Sequence, residues 1–228
     1  RPAGALANSA IRELAAFDGE MRADRVAPLV YTVWMDEFTR LVLGRRVGPA
    51  HLGVLYGRRT FGSAVEKILL EPDVGAKWCA SSECIAELNE SLARAVAKLS
   101  GNRGGSLQDW HWGPVHAVEK LDPISILLGE HIEQKGFEVG GDPSTVNMTH
   151  YELGSGKTKY PTRVGANARF IYDLADANSS WFVQFGGPDE LENASSRRFT
   201  RDWQYGHFSE LRFEPRRWED TITLLPNR

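Results

Sequence analysis

The sequence predicts an α+β protein with a helical first half and an antiparallel β-rich second half, and three observations carry that reading. Between Ile85 and Leu99, apolar residues step by three, four, four and three positions, the spacing of one helix face. Between Ala168 and Ala175 residues alternate with a period of two, and Ser180 to Phe185 follows as a second aromatic and β-branched run. The tetrad between them, Asp176-Ala177-Asn178-Ser179, has short polar side chains suited to a turn, so the two runs read as a hairpin. After Gly104-Gly105 the composition changes from Ala-rich to Trp-, Gly- and Thr-rich. This places a joint between a helical part, residues 1–104, and a β-rich part, residues 105–228, within one structural unit.

In chain order, Leu6, Ala7, Ala10, Ile11 and Leu14 predict a helix from about Gly4 to Ala16. A second helix is expected with Asp24 as N-cap, Pro28 in its first turn, and an apolar stripe from Leu29 to Val42 ending at Gly44. Residues 45–62 lose periodicity and read as a loop or short irregular helix. Ser63 with Glu66 forms a capping-box pattern for a helix of about two turns that stops before Pro72. The helix marked by Ile85 to Leu99 is closed by Gly101. Trp110 to His116 is an aromatic cluster entering an extended segment, and Ile124 to Leu128 is a brief apolar piece. Gly140-Gly141-Asp142-Pro143 predicts a turn and Ser144 to Tyr151 a strand. Both strands of the central hairpin carry large apolar residues on each face, so the sheet should be covered on both sides. Leu191 to Tyr205 reads as polar loop; Phe208, Leu211 and Phe213 are expected on the sheet, before a helix or turn at residues 215–221.

Composition narrows the function classes. The chain has 228 residues, 42% of them hydrophobic, and a formal net charge of -3, with Lys and Arg scattered. That is ordinary globular composition, without the basic footprint expected of a nucleic-acid or anionic-membrane partner. No apolar run approaches the roughly 20 residues of a bilayer span. Cys79 and Cys84 are the only thiols. Joining them would stabilise by roughly 2 kcal/mol and would favour an oxidising compartment; two reduced thiols near a helix start are the alternative.

The candidate chemical motifs resolve into structural ones. Gly154-Ser155-Gly156-Lys157-Thr158 mimics the end of a phosphate-binding loop, but Tyr151 stands where a glycine is needed and Pro161 follows too soon for the required helix. It reads as a hairpin loop. His111 and His116, with Asp109, form the only local histidine cluster, at a spacing that suits neither a helical zinc pair nor one strand face, so packed or hydrogen-bonded histidines are expected. A metal enzyme built on those two histidines would need metal in a dialysed sample. No Gly-x-Ser-x-Gly elbow offers a nucleophile. Sequons at Asn89, Asn147, Asn178 and Asn193 matter only in a glycosylating pathway.

Several stretches in the same order nevertheless resemble the C-terminal part of the β chain in the penicillin acylase (penicillin amidase) family. They are Phe17-Asp18-Gly19-Glu20-Met21 with the helix beginning Val30-Tyr31-Thr32-Val33-Trp34, Trp78-Cys79 with Cys84, and Trp112-Gly113-x-x-His116. Gly140-Gly141-Asp142 with Thr145-Val146-Asn147, and Arg169-Phe170-Ile171-Tyr172-Asp173-Leu174, complete the series. The resemblance covers nearly the whole chain, and it implies a disulfide between Cys79 and Cys84. It departs at Gly186-Gly187-Pro188-Asp189, where the family has Gly-Gln-Ser-Gly, and at Arg201-Asp202-Trp203-Gln204, where it has Ser-Pro-His-Tyr.

What the resemblance implies is a share in the αββα sandwich of an N-terminal nucleophile hydrolase. There a self-cleaved precursor exposes a serine whose own α-amino group is the base, and an oxyanion hole stabilises the tetrahedral intermediate. Those residues lie upstream of the part resembled, and Arg1 opens this sequence, so no catalytic residue is carried over. The expected role is completion of the fold and support of a pocket, with Trp112, Gly113, His116, Asn147 and Arg169 as the supporting residues. The implied partners are the upstream α- and β-chain segments and a small N-acyl substrate such as a β-lactam side-chain amide or an acyl homoserine lactone. No cofactor is expected in this chain, any calcium of the full enzyme being held elsewhere, and the implied location is periplasmic or secreted. The rival expectation is a non-catalytic binding module on the same scaffold.

Overall fold

Helix α2 (Ala27–Val42) organises the first part of the molecule, because its apolar residues are numerous enough to be buried on more than one side: Leu29, Val30, Val33, Phe38, Leu41 and Val42 are all buried. A computed structural model describes residues 2–58, 61–120, 134–154, 158–162, 164–185, 194–212 and 214. The fold is α+β, helices first and small antiparallel sheets after. The chain divides into two compact units, residues 1–165 and 166–228.

In the first unit, α2 packs chiefly on α6 (Ile85–Arg103), with α1 (Pro2–Ala15) against both. Ala10, Leu29, Val30, Val33, Val96 and Leu99 form one apolar cluster with Trp110, Trp112 and Tyr160. Each fully buried aliphatic side chain in it is worth about 1.5–3 kcal/mol. A second cluster joins the C-terminal half of α2 to α3 (Gly44–Tyr56) and α4 (Phe61–Leu70) through Phe38, Val42, Leu52, Phe61, Val65 and Ile68. Helix α5 (Pro72–Trp78) then leads into a disulfide between Cys79 and Cys84, whose Cα atoms are 5.1 Å apart.

Several boundaries differ from expectation. Asp24 does not cap α2: its carboxylate pairs with Arg22 at 2.9 Å, and Val26 occupies the cap position without a side-chain bond. Gly44 opens α3 instead of ending α2, because the chain continues helically through Leu43. The non-periodic stretch after it, read as a loop or short irregular helix, takes the second form, a helix kinked at Gly48-Pro49. Ser63 lies inside α4, so the capping-box pattern marks no helix start. Gly101 is likewise internal to α6, and Gly104, with φ of 92°, ends it.

Strands β1 (Ala117–Lys120) and β2 (Gln134–Glu138) pair antiparallel, with an irregularity between Val118 and Lys120. Strands β3 (Thr149–His150) and β4 (Val164–Gly165) form a second pair. The strand expected over Ser144–Tyr151 is confined to those two residues, because the Asp142 carboxylate accepts the backbone N–H groups of Ser144 (2.7 Å) and Thr145 (2.8 Å) and holds a turn.

The second unit contains the hairpin read from the sequence. Strands β5 (Ala168–Ile171) and β6 (Ser180–Gln184) pair antiparallel with Phe170 opposite Phe182, and β7 (Ser209–Leu211) lies along the other side of β6. Asp176 fixes the turn, accepting the Asn178 N–H at 3.0 Å and the Ser179 hydroxyl at 2.7 Å. Residues 194–205, expected as loop, form helix α7 (Ala194–Tyr205), whose Trp203 packs edge-on against Phe185. Its sparse apolar residues had hidden it. Residues 124–128, 155–157, 186–189, 191–193, 213 and 215–221, for which expectations were stated, lie outside the described residues.

Candidate functional site

Four of the sequence-singled residues, Trp112, Gly113, His116 and Asn147, converge in the first unit around the segment Met21–Arg25. A 3-10 turn (Gly113–Val115) presents the aromatic residues. The Trp112 and Gly113 N–H groups donate to the Arg25 and Ala23 carbonyls at 3.0 and 2.8 Å, and the Gly141 N–H donates to Met21 O at 2.6 Å. The segment is thus held by backbone bonds from both glycine-bearing motifs. Side chains leave no room for alternatives: a Cβ on Gly113 would stand 2.5 Å from Glu138 Oε2 and 3.0 Å from Ala23 Cβ. Trp112 is fully buried and donates its Nε1–H to Gly141 O at 3.1 Å. Asn147 donates from Nδ2 to Gly140 O at 3.2 Å.

His116 lies fully buried beneath this layer, its ring stacked on Trp112 with centroids 4.4 Å apart. Nδ1–H donates to Tyr160 O at 2.7 Å, while Nε2 faces the hydroxyls of Thr149 at 2.9 Å and Thr162 at 3.3 Å. Both ring nitrogens are therefore engaged, which suits a neutral, positioning imidazole and leaves no lone pair directed at a metal. His111, five residues earlier, is not drawn into this network. Among the described residues no group of three or more His, Cys, Asp or Glu side chains is placed to hold a metal ion.

Burial pulls the His116 pKa down to about 4, against the weaker opposing pull of the Tyr160 carbonyl. The unfolded chain takes up this proton at the ordinary value of 6.5, so stability is intact above 6.5 and falls as pH drops toward 4. We expect roughly 2–3 kcal/mol of acid destabilisation from this one group. Urea unfolding at pH 7.5 and pH 4.5 checks it: His116→Gln should flatten the difference, and an unchanged slope would contradict the assignment.

A second buried polar centre carried no sequence expectation. Asp36, on the inward face of α2, is fully buried and accepts from Tyr56 Oη at 2.7 Å and Arg40 Nε at 3.3 Å. Lys98 of α6 lies 3.9 Å from the same carboxylate and 2.6 Å from Glu37. Burial, and then the Asp36 charge, hold the Tyr56 hydroxyl well above its usual range, so it remains a donor. The network ties α2, α3 and α6 together. Its signal in the sequence is an acid set within an apolar stripe with Arg at i+4.

Arg169, the fifth singled residue, belongs to the second unit. Its guanidinium lies 4.8 Å from the Trp203 ring centre and donates to the Trp203 carbonyl, and burial pulls its pKa below the usual guanidinium value. The Trp203 Nε1–H donates to Ala166 O at 2.7 Å. The segment that departs from the expected Ser-Pro-His-Tyr pattern is therefore part of α7 and anchors β5.

Comparison with known proteins covers nearly the whole chain. The chain is similar to proteins named acyl-homoserine lactone acylase QuiP, at 26% identity in Pseudomonas putida and 24% in Pseudomonas syringae pv. tomato, each over 97% of this chain. The Pseudomonas aeruginosa protein of that name is 24% identical, again over 97% of this chain. The chain spans 29% of the length of these curated relatives. A family match, described as penicillin amidase, runs over residues 2–220 and takes in every residue of the Trp112–His116 centre, the disulfide and the Arg169 hairpin, so the chain belongs to the penicillin amidase family.

Proposed function

We propose that this chain is the C-terminal segment of an amide hydrolase that cleaves N-acyl bonds, with the nucleophilic serine and oxyanion hole supplied by upstream segments of the same precursor. The observation that carries the reading is the comparison itself: nearly all of this chain aligns with acylases, over 29% of their length. The internal geometry supports it, since His116 and Asp36 spend their hydrogen bonds on packing and are arranged to hold elements in place. In this reading Trp112, Gly113, His116, Asn147 and Arg169 are supporting residues, each within its own unit, and touch no reacting atom. The substrate class is N-acyl amides, with acyl homoserine lactones the first choice because the relatives bear that name. No cofactor is needed for acyl transfer by this route, and the upstream segments are the partner. The Cys79–Cys84 bond fits an oxidising location, periplasmic or secreted.

Hydrolysis of an N-acyl homoserine lactone by the full-length gene product, with none by this chain purified alone, is the expected result. Turnover by the isolated chain would overturn the proposal. Intact mass of the native protein gives an independent check, since a species of only 25.4 kDa would favour the non-catalytic module instead.

A further inference from the structure

Tyr160 stands between the two buried polar centres of the first unit. Its carbonyl accepts from His116 Nδ1–H at 2.7 Å, so its main chain belongs to the Trp112–His116 centre. Its fully buried ring packs near Trp112 and Tyr151, with centroids 5.9 and 5.5 Å away. The hydroxyl at the far end of that ring is buried without a hydrogen-bond partner. Burial, and then the Asp36 charge, hold it above its usual range, so it keeps its proton and lies in the field of that carboxylate.

Buried polar atoms without a partner are rare, and each asks for an explanation. Six side-chain atoms among the described residues are of this kind, and three of them belong to Thr32, Arg40 and Tyr160. Thr32, Asp36 and Arg40 follow one another at i, i+4 and i+8, along one face of α2. Asp36 accepts from Tyr56 Oη with one oxygen and from Arg40 Nε with the other, and each oxygen has a second lone pair. The junction therefore offers three unused donors, the Tyr160 and Thr32 hydroxyls and Arg40 Nη2, beside an acceptor with remaining capacity. The species that fits must accept and donate in the same place. A further cation is opposed by Arg40 and by Lys98, 3.9 Å from the carboxylate, and an anion by Asp36 and Glu37. Water is neutral and makes about three hydrogen bonds at such buried sites.

We propose that the junction of Tyr160 with the Thr32–Asp36–Arg40 face of α2 is an internal water-binding site, and that the bound water joins the His116 and Asp36 centres into one network through the two ends of Tyr160. Such a site ties α2 to the segment carrying Tyr160, whichever reaction the whole protein catalyses.

A crystal structure of the native full-length gene product tests it directly. An ordered water oxygen within about 3.2 Å of Tyr160 Oη, bonded also to Asp36, Thr32 or Arg40, is the expected result. A protein atom bonded to Tyr160 Oη in its place, or a hydroxyl left bare, overturns the proposal. Tyr160→Phe reads the energetics in the same full-length protein. Deleting a hydroxyl that holds a bound water should lower the thermal midpoint by roughly 2 °C, since the water's other partners lose a bond. Deleting a bare one removes an unsatisfied group and leaves the midpoint unchanged or higher, which would also overturn the proposal. The crystal structure needs no variant, so a Tyr160→Phe protein that fails to accumulate leaves the decision to it.

Discussion

Gly141→Ala should abolish the fold of the first unit, at a cost above about 4 kcal/mol, whereas Gly101→Ala should leave it intact or slightly more stable. Gly141 has φ of 95°, where an L side chain is strained, and a Cβ there would stand 2.0 Å from Asn147 O and 2.6 Å from Thr149 Oγ1. The first obstacle is backbone and cannot swing aside. Moving it would also pull on the Gly141 N–H bond to Met21 O and on the Gly141 carbonyl that accepts from Trp112. Gly101 lies inside α6 with nothing within 4 Å of an added Cβ, so alanine gains about 0.5–1 kcal/mol of helix propensity there. Urea unfolding of the two variants gives opposite signs if this geometry is right. Equal effects would mean that the turn at Gly140-Gly141 yields freely.

The same contrast explains what could be read from the chain and what could not. Helix α6 was legible because its stripe is dense, but its end was not: Gly101 and Gly104 are equally plausible stops on paper, and only the second adopts a positive φ. Helix α7 escaped because Phe199 and Trp203 are its few large apolar residues among Ser, Arg and Asp. The strand expected at Ser144–Tyr151 failed at Asp142, whose side chain takes the backbone donors a ladder would have used. At the candidate site, Trp112, Gly113, His116 and Asn147 were singled out through the order of their motifs, and the structure places them near one another. Their partners were not singled out. Thr149 and Thr162 lie 33 and 46 residues from His116, so no local pattern announces that network, and at Asp36 only the i+4 arginine is local, Lys98 lying far along the chain.

Trp112→Ala tests whether that site is one cooperative centre. The indole is fully buried, stacks on His116, meets the Tyr151 ring edge-on at 5.3 Å and bonds Gly141 O. Truncation should cost about 3–5 kcal/mol for the cavity and about 1–3 kcal/mol more for the orphaned carbonyl. Trp112→Phe keeps an aromatic ring beside His116 but loses the donor, so it should cost only the smaller part. The distinguishing measurement is the acid slope. Opening a cavity beside His116 lets water reach the imidazolium, which should raise its folded pKa toward 6.5 and shrink the stability lost between pH 6.5 and 4. If Trp112→Ala is destabilising yet keeps the full acid slope, Trp112 is only a volume filler. If both change together, the Trp-Gly-x-x-His sequence is a unit in which the tryptophan keeps the histidine dry and the histidine holds Tyr160, Thr149 and Thr162 in register.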